Sequence, residues 1–132
     1  MNLDLYFSAG VDFEVIFENQ VFNISKDTDS IRISYDPEFD KIFKLRLRSD
    51  NPRITEQPVV VNKIVFDDFW ELCSNKIARG QNIYSEHYIE FANLKNITVD
   101  YSVVDNHILF FTGELIFSFS HPIHEYLDQA FY

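Results

Sequence analysis

The 132-residue chain is predicted to form one domain, residues 1–132, of the α+β class. The expected architecture is a mostly antiparallel β-sheet of about eight or nine strands, sandwich-like or strongly curved, with two helices. One helix is expected near 68–79 and the other near 122–131. Three observations predict this. Fourteen Phe and seven Tyr make a strongly aromatic apolar set, which suits strands. Apolar residues alternate with period two along most of the chain. In two stretches the period lengthens to that of a helix.

The first unit reads as a hairpin. Asp12–Glu18 (DFEVIFE) and Val21–Ser25 (VFNIS) flank Asn19-Gln20. A two-residue turn there pairs Phe17 with Phe22 and Val15 with Ile24. It also puts Phe13, Val15, Phe17, Phe22 and Ile24 on one face. Ser30–Tyr35 follows, with Ile31, Ile33 and Tyr35 sharing a face until Asp36-Pro37 ends it.

Lys41–Arg53 (KIFKLRLRSDNPR) is the clearest strand pattern. Phe43, Leu45 and Leu47 alternate with Lys44, Arg46 and Arg48. Three apolar side chains therefore face one way and three cations the other. The segment balances to +4 within a chain of −10, so the remainder carries −14. Asn51-Pro52 and Pro58 bracket a loop. Val59–Phe66 (VVVNKIVF) is β-branched and apolar on both faces, as an interior strand requires.

In Asp67–Gly80 the period changes. Phe69, Leu72, Cys73, Lys76 and Ile77 lie on one helical stripe. Asp68 and Glu71 resemble a capping box, and Gly80 suits the C-terminal cap. Strands are expected again at Glu86–Ala92 and Ile97–Val104. A turn at Asp105-Asn106 leads back through His107–Ser120, with Val103 opposite Ile108 and Tyr101 opposite Phe110. Gly113 marks a bulge or bend in that long strand. Ile123, Tyr126, Leu127, Ala130 and Phe131 then repeat the helical stripe behind Pro122.

Composition narrows the function classes. A surface of net charge −10 opposes binding to a nucleic-acid backbone and favours a basic protein partner. No apolar run approaches the roughly 20 residues of a membrane-spanning helix. The N-terminal MNLDLYFSAG lacks the cationic start of a signal peptide, and Cys73 is the single cysteine, so a cytoplasmic location is expected.

Catalytic motifs are sparse. His121 and His124 are spaced to share a helix face, but Glu125 points away and a metal needs three or four convergent ligands. Cys73 lies on the apolar stripe, where a thiol acts as a small hydrophobe. Gly10, Gly80 and Gly113 are isolated, so no phosphate-cradling loop is present. Asp27 and Asp29 have calcium-loop spacing without the required Gly and Glu. Glu86, Glu90 and Glu114 form the best carboxylate set, read more simply as solvated acids in a chain with 21 of them. No cofactor and no metal are expected.

Aromatic contact residues offer the better lead. Trp70 falls about 70° off the centre of its stripe at 100° per residue. It is expected half exposed beside Asp67, Asp68 and Glu71, a common arrangement for an interface anchor. The same placement fits a Trp wedged under the Pro52–Pro58 loop. Lys44, Arg46 and Arg48 are expected to meet acids of a neighbouring strand such as Asp12 and Glu14. Their other use is a homodimer through that strand.

The leading expectation is a non-enzymatic acidic protein that docks on and inhibits a basic protein partner, as immunity proteins and phage inhibitors do. Trp70, Asp67, Asp68 and Glu71 form its contact set. The run Lys41–Phe66 resembles a strand pair of carbohydrate-binding β-sandwiches. That resemblance implies a glycan-binding module, with Trp70, Tyr84, Tyr88 or Tyr101 stacking on sugar rings. A third expectation is a small hydrolase using paired carboxylates.

Overall fold

A computed structural model describes residues 1–73, 80–98, 103–104, 107–121 and 123. Two antiparallel sheets are found, as the alternating patterns predict. The first comprises β1 (Asn2–Ala9), β4 (Ser30–Ser34), β6 (Val59–Phe66), β7 (Trp70–Cys73) and β10 (Ile108–Leu109). The second comprises β2 (Phe13–Phe17), β3 (Gln20–Ile24), β5 (Ile42–Ser49), β8 (Gly80–Tyr84), β9 (Val103–Val104) and β11 (Gly113–Ser120). A helix, α1 (Glu86–Leu94), follows β8.

The first sheet runs β10–β6–β1–β4, and β7 shares the outer edge of β6 with β10. The second runs β3–β2–β5–β11–β8–β9. Their inner faces meet through aromatic side chains. Phe66 on β6 lies edge-on to Phe119 on β11, with ring centres 5.0 Å apart. Phe7 on β1 meets Phe13 on β2 at 5.1 Å.

The β5 pattern is realised as predicted. Phe43, Leu45 and Leu47 are buried, and the cations face outward. β5 lies between β2 and β11, with Glu14, Arg48 and Glu114 in one cross-strand row. Arg48 pairs with Glu14 at 2.6 Å, and Arg46 pairs with Glu114 at 2.5 Å. The acidic neighbours thus include Glu14, as expected, and Glu114 from the other side. Both backbone edges of β5 are taken by its neighbours, so its outward face is what a second copy could meet. β5 and β6 lie in different sheets and do not form the strand pair that the resemblance implied.

β6 is an interior strand, paired along both edges. Its register to β1 slips between Tyr6 and Phe7, leaving Asn62 as an extra residue. A bulge of this kind reverses the facing parity. Val59 and Val61 before it, and Ile64 and Phe66 after it, all point inward. The apolar character on both faces of VVVNKIVF is the trace of that reversal.

The β2–β3 hairpin keeps the predicted faces but not the predicted turn. Phe17 pairs with Gln20 and Val15 with Phe22, so the loop is Glu18-Asn19. Glu18 adopts a φ of 52°, the positive value that primed hairpin turns need at their first loop position. The pairing moves by two residues, which preserves the facing of every side chain.

Three further expectations are corrected. The helix at 68–79 does not form at its start, because Trp70–Cys73 pairs as β7 with Lys63–Phe66. Asp67 and Asp68 both take positive φ and turn the chain, where the sequence suggested a helix cap. Gly80 opens β8, and residues 74–79 lie outside the described set. Glu86–Ala92 is helical, not extended. Ser85 caps α1 by accepting a hydrogen bond from the Tyr88 N–H at 3.1 Å, and Tyr88 and Ala92 form its buried stripe.

The third correction concerns the return through His107–Ser120. It is broken into β10 and β11, which belong to different sheets. Val103 pairs with Gln81 and Ile108 with Val60, so the two segments do not form the expected hairpin. Phe111 is fully buried, while Phe110 faces outward. Gly113 sits where the second sheet begins, with a φ of 141°. The Asp105-Asn106 turn and Tyr101 lie outside the described residues. Of the helix expected at 122–131, Ile123 is helical and buried, and the remainder lies outside the described residues.

One end of the core is a stacked aromatic set. Phe17, Phe43 and Phe119 form a triangle of nearly parallel rings, with centres 5.8 to 6.1 Å apart. Buried His121 caps this set, with its Nε2 at 2.7 Å from the Tyr35 hydroxyl. Burial lowers the His121 pKa below the ordinary 6.5, and the Met1 ammonium adds to the shift. Burial, reinforced by the charge of Asp67, raises that of Tyr35.

The folded state therefore favours neutral His121 more than the unfolded chain does. Below the ordinary value of 6.5 the unfolded chain takes up a proton that the folded chain resists. This contribution is fully present above that pH and declines as pH falls through it. Denaturation midpoints should drop between about pH 7.5 and 5.5, and His121→Phe should flatten that slope. Urea titrations of both proteins across that range make the comparison.

Candidate functional site

The turn between β6 and β7 is the loop Asp67-Asp68-Phe69, with Phe66 paired to Trp70. The Phe69 N–H donates to the Phe66 carbonyl at 3.0 Å, closing the turn over two residues of positive φ. Aspartate tolerates that conformation better than most residues. The site residues predicted from sequence are thus neighbours in a hairpin tip and not on a helix.

Both aspartates are held. The Asp67 N–H donates to the Asn2 carbonyl at 2.8 Å, and the Asn2 N–H donates to Asp67 Oδ1 at 2.7 Å. Asp68 receives Arg32 Nη2 at 2.8 Å. The same guanidinium grips the Asp4 carboxylate through two hydrogen bonds, 2.7 and 2.8 Å long. Asp4 is buried, and Arg32 is half exposed. Arg32 therefore ties the tip to β1, and the Asp4 and Asp68 carboxylates hold it charged by hydrogen bonding and attraction.

The aromatic residues divide between core and solvent. Trp70 is half-buried and packs against the hydrophobic core. Phe69 is 72% exposed and lies edge-on to Trp70, with ring centres 4.8 Å apart. Glu71 is exposed, opposite Val65 on β6. The exposed aromatic of the tip is Phe69, which the helical pattern had assigned to the buried stripe. The two consecutive aspartates after a β-branched strand were the signal for a turn.

The other candidates do not gather at one place. Tyr84 and Tyr88 stack on each other at 5.4 Å and both meet Phe111 at a tilt, with Tyr88 buried. Glu86 and Glu90 lie one helical turn apart on exposed positions of α1, whereas Glu114 is on β11 under Arg46. His124 and Glu125 lie outside the described residues. Asp27 and Asp29 sit in the turn after β3, and the Asp29 carbonyl accepts from the Phe7 N–H at 2.9 Å.

A cleft of about 350 Å³ opens beside β2, β3 and the end of β5. Asp12, Glu14, Asn23, Ser25, Arg48 and Asp50 line it, above buried Phe13 and Ile24. Sequence reasoning did not assemble this group, because its members come from three separate strands. No helix among the described residues is long and apolar enough to cross a membrane. Compared with protein-family models, with curated proteins and with solved structures, the chain finds no match.

Proposed function

We propose that the protein is a non-enzymatic acidic binding protein that docks on a basic protein partner in the cytoplasm and inhibits it. The observation that carries this reading is Phe69, 72% exposed at a tip flanked by Asp67, Asp68 and Glu71. A large exposed aromatic beside charge is the usual composition of an interface anchor. Trp70 backs it from the core. The hydrogen bonds from Asn2 and Arg32 fix the tip in advance, which lowers the ordering cost of docking. The net charge of −10 steers a basic partner toward the surface.

The test is capture from a lysate of the source cells on immobilised wild type, Phe69→Ala, Trp70→Ala and Glu71→Lys. The reading expects a basic protein bound by the wild type, and capture reduced at least about tenfold by Phe69→Ala and by Glu71→Lys. Equal capture by all four proteins would remove the tip as the contact surface.

A second reading rests on the 350 Å³ cleft. Its mixture of carboxylates, amide, hydroxyl and guanidinium suits a polyhydroxyl ligand such as a glycan, which both donates and accepts. A glycan array probed with wild type and Asn23→Ala separates this reading from the first.

A further inference from the structure

β3 is one of the two outer strands of the second sheet and carries Gln20, Val21, Phe22, Asn23 and Ile24. In a chain with 32 charged residues this edge has none, and it has no proline. Exposed edges are normally blunted by lysine, proline, a bulge or a covering segment, because their unpaired backbone groups recruit another strand. Among the described residues, the backbone of Gln20–Ile24 pairs with β2 and with nothing else. β4, the outer strand of the first sheet, differs: it bears Arg32, and its Ser34 carbonyl accepts the Gln20 side-chain amide at 3.2 Å.

The β3 side chains are also incompletely covered. Val21 is 60% exposed on the outer face. Phe22 lies on the inner face opposite Val15 and is only partly buried at the rim of the core.

We propose that β3 is a dimerisation edge, on which two copies of the chain pair antiparallel about a two-fold axis at Phe22. Such an axis is the commonest symmetry of homo-oligomers and presents the same patch from both copies. Phe22 then meets Phe22 of the second copy, which completes its burial. Val21 faces Asn23 and Gln20 faces Ile24 across the axis. Continuing that register sets Lys26 of one copy toward Glu18 of the other, twice. Lys26 and Glu18 are both exposed and flank the uncharged strand, and Glu18 also meets Lys41 of its own chain at 3.5 Å. The charged residues brought across the axis are thus of opposite sign, which favours a second copy although each chain carries −10. The two six-stranded sheets become one continuous sheet.

Sedimentation equilibrium on the intact chain gives the first readout, with an expected mass of twice 15.6 kDa. Lys26→Glu should return the mass to that of one chain at the concentration where the wild type is dimeric. Adding Glu18→Lys to it should restore the dimer, a rescue that misfolding does not produce. Phe22→Cys provides a second variant. Directly opposed residues in an antiparallel pair have Cα atoms about 4.5–5.5 Å apart, within disulfide range. Under mild oxidation this variant should form a covalent dimer faster than the wild type, whose Cys73 is the control. A wild type that stays at 15.6 kDa overturns the proposal. So does a dimer that persists in Lys26→Glu while Phe22→Cys fails to cross-link, because the chains then meet elsewhere.

Discussion

Phe43→Ala should destabilise the protein by about 3–5 kcal/mol, the cost of emptying a large aromatic site in a packed core. Phe43 is fully enclosed, one corner of a triangle of parallel rings with Phe17 and Phe119, and edge-on to His121 at 5.2 Å. It is the second residue of β5, directly opposite Phe119 on β11, and its walls are buried rings anchored on their own strands, so they are poorly able to collapse into the void. A domain of this kind has about 5–15 kcal/mol of stability in total, so the variant sits near the limit of folding. Urea titration should show a much lower midpoint with an unchanged slope. A midpoint within about 0.5 kcal/mol of wild type would mean that this aromatic stack does not carry the core.

Gly113→Ala is the second large effect. Gly113 has a φ of 141°, which residues with a side chain rarely adopt. A Cβ there would stand 2.2 Å from the Ile83 carbonyl oxygen and 3.1 Å from the Tyr84 Cα. Both obstacles are backbone atoms of β8, which pairs with β11 at this point. Backbone strain of this sort costs about 1–3 kcal/mol, and the clash adds to it. The damage should concentrate where the chain passes from the first sheet to the second. Hydrogen exchange should show faster exchange in β8 and the start of β11 than in β1. A uniform loss, or none, would contradict the close approach.

Local alternation made part of this fold legible. The facing of Phe43, Leu45 and Leu47, and of Phe13, Val15 and Phe17, depends only on period two within a strand. What alternation does not encode is which sheet a strand joins. The residues after Leu109 stay apolar, yet the chain changes sheets at Phe110–Thr112, and Phe111 takes the buried place expected for Phe110. The helix α1 was legible in the Ser85 cap and the spacing of Tyr84, Tyr88, Phe91 and Ala92, but flanking strand patterns hid it. At 67–71 the helical stripe was present, and pairing with the edge of β6 overrode it.

The candidate site shows the same division. Asp67, Asp68, Trp70 and Glu71 are adjacent in sequence, so their proximity needed no structure. Which aromatic faces solvent did need one. A helix beginning at Asp68 points Phe69 inward, whereas a turn at Asp67-Asp68 points it outward and leaves Trp70 on the core. The cationic strand was better placed by reasoning alone: Arg46 and Arg48 are paired across strands, with Glu114 and Glu14.

The most direct test of the proposed docking surface at the Asp67–Glu71 tip is the salt dependence of affinity for the captured partner, compared between wild type and Glu71→Lys. Exposed charges are screened beyond about 8 Å at physiological ionic strength, so charge-steered docking weakens as salt rises. The prediction is a steep loss of wild-type affinity with added salt and a shallower loss for the variant, whose low-salt affinity is already reduced. Affinities that are insensitive to salt, or identical slopes for the two proteins, would contradict it.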